Sequence, residues 1–294
     1  MSLKDFPLCA LRKRYPNAHK GSFGRLLLIA GSETMTGCAV LAAQGALRSG
    51  VGILECAAVK ECITVIQNNC FEAVNTPISD YYEDFPSCSA RLLERIKVCD
   101  AVAMGPGLLN QDSDPARKEL LAQLMLMLIE NSRVNFVFDA DCLTAMAPHL
   151  KEFSLYSSRI AITPHPGEMS RLCGVAIPEI IINKEKCASE FSREYGFVTL
   201  LKGNKTAVAS PNGDIYINST GNPFMARGGS GDVLTGIIGS LLAQGSDLFD
   251  GVCLGAYIHG GAADIAAEEL GLSMLPSDIA PRIGKFIFSK EAEL

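Results

Sequence analysis

The run Arg227-Gly228-Gly229-Ser230-Gly231-Asp232 is the densest glycine cluster in the chain, and it leads directly into the apolar pattern VLTGIIGSLLA. Four successive residues without bulky side chains let backbone N–H groups face one point, and the helix that follows adds the positive end of its dipole. The result is an anion hole. Asp232 stands at its rim, a place suited to accepting a hydroxyl proton during phosphoryl transfer. The plainer alternative is an acidic N-cap, yet a cap does not require three of the four preceding residues to be glycine. A carboxylate at a helix N-terminus is stabilised when ionised and should be a weak base. That is tolerable where proton transfer accompanies bond formation to phosphorus.

Other segments have residues that could serve the same chemistry. In LKGNKT, Lys202, Gly203, Asn204, Lys205 and Thr206 combine a glycine that admits close backbone approach with two lysines able to face phosphates as mobile cations; a solvated turn is the alternative. In TPHPGE, His165 is one of four histidines, and Pro166-Gly167-Glu168 can start a helix with an acidic residue in its first turn. Asp139 and Asp141 in FDADCL lie at a strand's end, where they either hold magnesium waters or cap the next helix. The common nucleotide fingerprints are missing. No G-x-x-x-x-G-K-[ST] occurs, and Gly105-Pro106-Gly107 lacks the third glycine of a dinucleotide motif.

These segments need elements to hold them. Short apolar runs at residues 25 to 32, 52 to 58, 99 to 107, 134 to 141, 159 to 168 and 197 to 203 alternate with helical patterns, among them 36 to 50 and one helix through 179 to 195. Such alternation predicts an α/β fold with a mainly parallel central sheet and helices on both faces. Asn212-Gly213 between two alternating runs predicts an antiparallel hairpin at the sheet edge. Three helices close the chain, starting near Gly229, Leu248 and Pro276. The glycine clusters fall where strands lead into helices, the end of a parallel sheet at which ligands collect.

Composition bounds the partners. The 26 basic and 32 acidic residues leave a net charge of -6, the wrong sign for nucleic acid or an anionic membrane. No segment reaches about 18 uninterrupted apolar residues. Eleven cysteines without a CxxC pair fit neither a zinc site nor a disulfide framework, so they read as reduced core filler in a cytoplasmic protein. The Met-rich stretch around Met125 is core or a subunit interface. Without linkers or repeats, residues 1 to 294 read as a single domain.

The segments GNPFMARGGSGDVLTG, LKGNKT, TPHPGE, MGPGL and HKGSFGRLLLIAGS lie in consistent order over about residues 19 to 260. Together they resemble the ADP- or ATP-dependent NAD(P)H-hydrate dehydratases of the ribokinase-like superfamily. The resemblance implies a three-layer ribokinase-like fold and a repair reaction in which the S epimer of hydrated NADH or NADPH is dehydrated with ADP, or ATP, as phosphoryl donor. ADP is the better guess, giving AMP and phosphate. By the same resemblance Asp232 takes the ring hydroxyl's proton, and the N–H groups of Gly229, Ser230 and Gly231 hold the transferring phosphoryl. Lys202 to Thr206, with Gly231, bind the nucleotide, and Glu168 organises Mg2+ through water. Gly107, His165, Asp232 and either Cys38 or Ala39 face the hydrated cofactor; Arg227 has no assigned part. The resemblance further implies a homo-oligomer and a separate NAD(P)H-hydrate epimerase as functional partner, since only about 19 residues precede KGSFG. The rivals are a ribokinase-like kinase of a small alcohol, built on the same Asp232, and a non-catalytic nucleotide sensor.

Overall fold

The computed structural model describes residues 11–109 and 114–291. In chain order the first half contains β1 (Arg25–Ile29), α1 (Thr36–Arg48), β2 (Ile53–Ala58), α2 (Lys60–Asn69), β3 (Val74–Pro77), α3 (Phe85–Ile96), β4 (Ala101–Met104), α4 (Pro115–Glu130), β5 (Asn135–Phe138) and α5 (Asp141–Met146). The second half contains α6 (Leu150–Ser154), β6 (Ile160–Ile162), α7 (Pro166–Cys173), α8 (Ile177–Ile182), α9 (Lys184–Tyr195), β7 (Val198–Leu201), β8 (Ala207–Ala209), β9 (Ile215–Ile217), α10 (Ser230–Ala243), α11 (Leu248–Leu270) and α12 (Ile283–Glu291).

The strands form one sheet in the order β3-β2-β1-β4-β5-β6-β7-β8-β9. It is parallel from β3 to β7 and antiparallel beyond, at the β7–β8 and β8–β9 pairs. The central strands are mostly apolar because both of their faces are covered. In β1, Leu27 and Ile29 point into a core shared with α3, α4, α5 and α9, while Leu26 and Leu28 point into a second core under α1, α2, α10 and α11. Three layers result, as the strand-helix alternation predicts.

Helix α10 carries the glycine-rich loop at its start and must lie close to both the sheet and α1. Small residues permit this. A Cβ on Gly236 would come within 1.9 Å of the Ala42 carbonyl oxygen, and one on Gly45 within 2.4 Å of the Val233 oxygen. The two helices are therefore locked at backbone contact, and the loop's position follows from that packing.

Some elements differ from the expectation. Strand β3 was not legible, since VNTP is a short edge strand ending in proline, where pattern is weakest. The helix through 179 to 195 is two helices broken at Asn183, whose φ of -111° and ψ of 36° leave the helical range. The hairpin closes on the Ser210–Asp214 backbone pair, so its loop is Pro211-Asn212-Gly213 rather than Asn212-Gly213 alone. The last helix starts at Ile283; Pro276–Asp278 is a 3₁₀ turn. Met125 is fully buried, so the Met-rich helix α4 serves the core. The ten described cysteines are free, seven of them buried. No helix among the described residues is long and apolar enough to cross a membrane.

Candidate active site

The carboxyl ends of the strands build the site as a stair of backbone bonds: Gly105 N–H donates to Ile29 O at 3.3 Å, Asp139 N–H to Met104 O at 3.1 Å, Thr163 N–H to Phe138 O at 3.1 Å and Lys202 N–H to Pro164 O at 2.8 Å. Each strand thus hands its neighbour's next residue to the same cleft. Gly107, Asp139, Asp141, His165, Glu168 and Lys202 gather there with the first turn of α10.

At the centre lies Lys202. Its ammonium donates to Asp139 Oδ1 at 2.7 Å and stands 3.9 Å from Glu168 Oε2. Asp139 is 1% exposed, and its other oxygen accepts from Thr235 Oγ1 at 2.8 Å, which ties the sheet to the second turn of α10. A Cβ on Gly231 would lie 3.3 Å from Lys202 Nζ, so the ammonium sits directly against the anion loop. The ion pair makes Lys202 a held charge where the sequence suggests a mobile one: burial alone would lower its pKa, but Asp139 and Glu168 outweigh it and raise it. Lys202 is a fixed charge under the loop. Gly203, Asn204 and Lys205 are the exposed part of LKGNKT, with Asn204 O accepting from Lys184 Nζ and Gly203 O from Thr206 Oγ1.

In the loop itself, Gly229 has φ 98°, a left-handed conformation that turns the chain into α10. Among the described residues no acceptor meets the N–H groups of Gly229 and Gly231, whereas Ser230 N–H makes a long 3.4 Å bond to Arg227 O. Two of the three expected donors therefore stand ready, and the third is loosely held by the loop. The Arg227 guanidinium is turned away, donating to Leu272 O at 2.7 Å.

Asp232 is the third residue of α10. Burial, with Asp139 adding repulsion and Lys202 opposing it, pushes its pKa up to about 7. Desolvation and three neighbouring carboxylates thus act against the helix dipole and favour the stronger base. Asp141 is pushed up to about 6, chiefly by burial. Neither strand-end aspartate caps α5, whose N-cap is Ala140; Asp141 instead accepts from Leu109 N–H at 2.8 Å and holds the Gly105-Pro106-Gly107 loop in place.

His165 is the N-cap of α7. Its Nδ1 accepts from Gly167 N–H at 2.9 Å and Glu168 N–H at 3.2 Å, while Glu168 Oε2 accepts from His165 N–H at 2.7 Å. With Nδ1 an acceptor, the ring proton resides on Nε2, on a side chain 51% exposed. Burial raises the Glu168 pKa, with Lys202 opposing. Cys38 and Ala39 pack differently at the start of α1. Ala39 is 1% exposed and faces Gly31, whereas the half-buried Cys38 places Sγ where a Cβ on Gly107 would be only 2.3 Å away. Asp232 is close enough to Cys38 to help raise the thiol's pKa to about 12, after burial. Cys38 and Asp232 thus share one side of the cleft. Thr235, Lys184 and His259, which also meet the site, had no signal in the sequence beyond helical periodicity.

A family model described as NAD(P)H-hydrate dehydratase matches residues 26–285. The ADP-dependent (S)-NAD(P)H-hydrate dehydratase of Bacillus subtilis is 34% identical over 284 residues, covering 94% of each chain. The bifunctional NAD(P)H-hydrate repair enzyme of Moorella thermoacetica is 38% identical over 272 residues, but the chain spans only 50% of that protein's length. A crystal structure of the ADP/ATP-dependent dehydratase from B. subtilis, co-crystallised with ATP/Mg2+, superimposes with a TM-score of 0.76 at 30% identity over 94% of both chains. Ribokinase from Thermotoga maritima matches at a TM-score of 0.51 and 12% identity, a likeness of fold alone. The fold is ribokinase-like.

Proposed function

The chain belongs to the NAD(P)H-hydrate dehydratase family, and on that premise we propose that it restores NADH and NADPH from the S epimers of their hydrates, with ADP as phosphoryl donor and AMP and phosphate as products. The observation that carries this reading is Asp232: a carboxylate with a pKa near 7, one residue beyond the open N–H groups of a glycine-rich loop and beside a fixed ammonium. A base of that strength takes a proton from an alcohol only as the oxygen bonds to phosphorus.

In this mechanism the ring hydroxyl attacks the terminal phosphoryl of the nucleotide while Asp232 accepts its proton. The N–H groups of Gly229 and Gly231, joined by Ser230 when its bond to Arg227 opens, hold the phosphoryl oxygens, and Lys202 balances their charge from beneath. The C–O bond of the phosphorylated ring then breaks, phosphate leaves, and the neighbouring carbon loses a proton to restore the ring double bond. Hydroxide is a poor leaving group and phosphate a good one. Gly203 to Thr206 border the nucleotide, while Gly107, Cys38 and His165 border the hydrated ring; Ala39 supports Cys38 from behind.

Among the described residues no three side chains converge to ligate a metal directly. The donor set nevertheless suits magnesium held through water and phosphates, because Asp139, Asp141, Glu168 and Asp232 bring four carboxyls to one ammonium. When bound, magnesium would neutralise charge on the transferring phosphoryl. Glu168 is the residue we assign to hold its water, already oriented by His165 N–H.

The test incubates purified protein with hydrated NADH or NADPH and either ADP or ATP. Recovery of the near-ultraviolet absorbance of the reduced nicotinamide is expected only with a nucleotide, one AMP forming per ring restored when ADP is used. No recovery with either donor would exclude the reading. A kinase of a small alcohol would instead accumulate a stable phosphate ester.

A further inference from the structure

Helix α9 packs on β7 and β8 and runs antiparallel to β7, which follows it after Gly196-Phe197. The start of the helix is therefore level with the end of β7, where Lys202 to Thr206 turn into the cleft. The break at Asn183 decides which residue stands there, because it ends α8 and makes Lys184 the first residue of α9. From that place the Lys184 ammonium reaches the backbone of the loop. It donates to Asn204 O at 2.5 Å, and a Cβ on Gly203 would lie 2.8 Å from its Nζ and 3.4 Å from its Cε. Gly203 has φ 142°, so the side chain missing at that position is what admits the lysine.

The lysines around this loop differ in their counter-charges. Lys202 has Asp139 and Glu168, and Lys205 is exposed to water. Lys184 is partly buried, forms no ion pair among the described residues, and has its pKa lowered by burial alone. A cation drawn out of water without an anion is costly. Were the side chain there only to brace a carbonyl, a neutral amide would donate the same bond without that cost. What the charge fits is a phosphate arriving at Gly203 and Asn204.

We propose that Lys184 is a phosphate-binding residue of the nucleotide site, a role that rests on the dehydratase reading: its ammonium, held over Gly203 by Asn204 O, gives the nucleotide's phosphates a charge that no carboxylate neutralises. It takes no proton in the reaction. Loss of the charge therefore falls on nucleotide affinity and not on the hydrated cofactor.

The test is isothermal titration calorimetry of the full chain with ADP and magnesium, repeated with adenosine, which has no phosphate. Lys184→Gln keeps a donor and removes the charge, Lys184→Arg keeps the charge, and Lys184→Met removes both. The Kd for ADP is expected to rise about 20-fold in Lys184→Gln and Lys184→Met and to stay within about threefold in Lys184→Arg, while the Kd for adenosine moves less than about twofold in each. Added salt should weaken ADP binding to the parent and to Lys184→Arg more than to Lys184→Gln. In turnover, the KM for ADP should follow the Kd, and the KM for hydrated NADH should stay within about twofold of the parent. A Lys184→Gln protein that binds ADP as tightly as Lys184→Arg would overturn the proposal, because the lysine would then only brace the loop. An equal loss for adenosine would overturn it as well. If Lys184→Met does not fold, the Gln and Arg pair decides alone. If the parent binds ADP but restores no NADH, the dehydratase reading fails by itself, and the calorimetry still decides the part of Lys184.

Discussion

Replacing Asp232 by asparagine should make the protein more stable as it makes it inactive, and the gain should depend on pH. The carboxyl's pKa rises on folding from 3.8 to about 7, chiefly through burial. A group whose folded pKa is raised contributes stability that is fully present below the unfolded value and is lost as pH rises through the folded one. Between about pH 4 and pH 7, therefore, folding must either protonate Asp232 or bury its charge. At about 1.4 kcal/mol per unit the full cost is about 4 kcal/mol. Linkage ties this cost to the pKa itself, so the margin above pH 7 is on the order of 4 kcal/mol, or about 6–10 °C in Tm for a domain of this size. The uncharged, nearly isosteric asparagine avoids the cost. Thermal unfolding of both proteins without nucleotide should show the asparagine variant ahead by that margin at pH 8, by about half as much at pH 5.5, and level near pH 4. Turnover should fall by about 10³-fold or more. A variant no more stable than its parent at pH 8, or a margin that does not change with pH, would refute the assignment of Asp232 as a carboxylate held against its ionisation.

The same pKa predicts that kcat/KM for the hydrated cofactor rises with pH and levels off above about 7, measured by initial rates in constant ionic strength. Lys202→Met should lose at least about 10²-fold in turnover and about 2–4 kcal/mol in denaturant unfolding, because it leaves the 1% exposed Asp139 carboxylate with Thr235 as its only side-chain partner among the described residues. Gly229→Ala should cost about 1–2 kcal/mol and most of the activity, since φ is 98° there and a Cβ would lie 2.6 Å from Leu41 Cδ1. Chelation of divalent cations should abolish turnover, and added magnesium should restore it, without a shift in Tm large enough to indicate unfolding.

Much of the molecule is legible in the chain. Apolar runs such as RLLLI and helical spacings between them specify a parallel sheet buried on both faces, because strand and helix periodicities are local properties of the backbone. The glycine-rich turn before Asp232 is legible for the same reason: an anion hole is made of adjacent peptide groups. Where pattern is short or two-sided the chain is silent, as in the edge strand β3 and at Asn183, where one apparent helix becomes two.

What the sequence determined by itself is the set of strand-end segments that can reach one cleft and the loop that can hold a phosphate. What only the tertiary structure decided is the electrical state of that cleft. Lys202 is tied to Asp139 across 63 positions of sequence and Asp139 to Thr235 across 96, and these meetings turn a lysine expected to be mobile into a fixed, half-buried counter-charge. They also turn a helix-start aspartate, expected to be a weak base, into one with a pKa near 7. Local sequence sets backbone conformation, whereas desolvation and charge coupling depend on distances that exist only once the sheet, α10 and α11 have closed around the same few side chains.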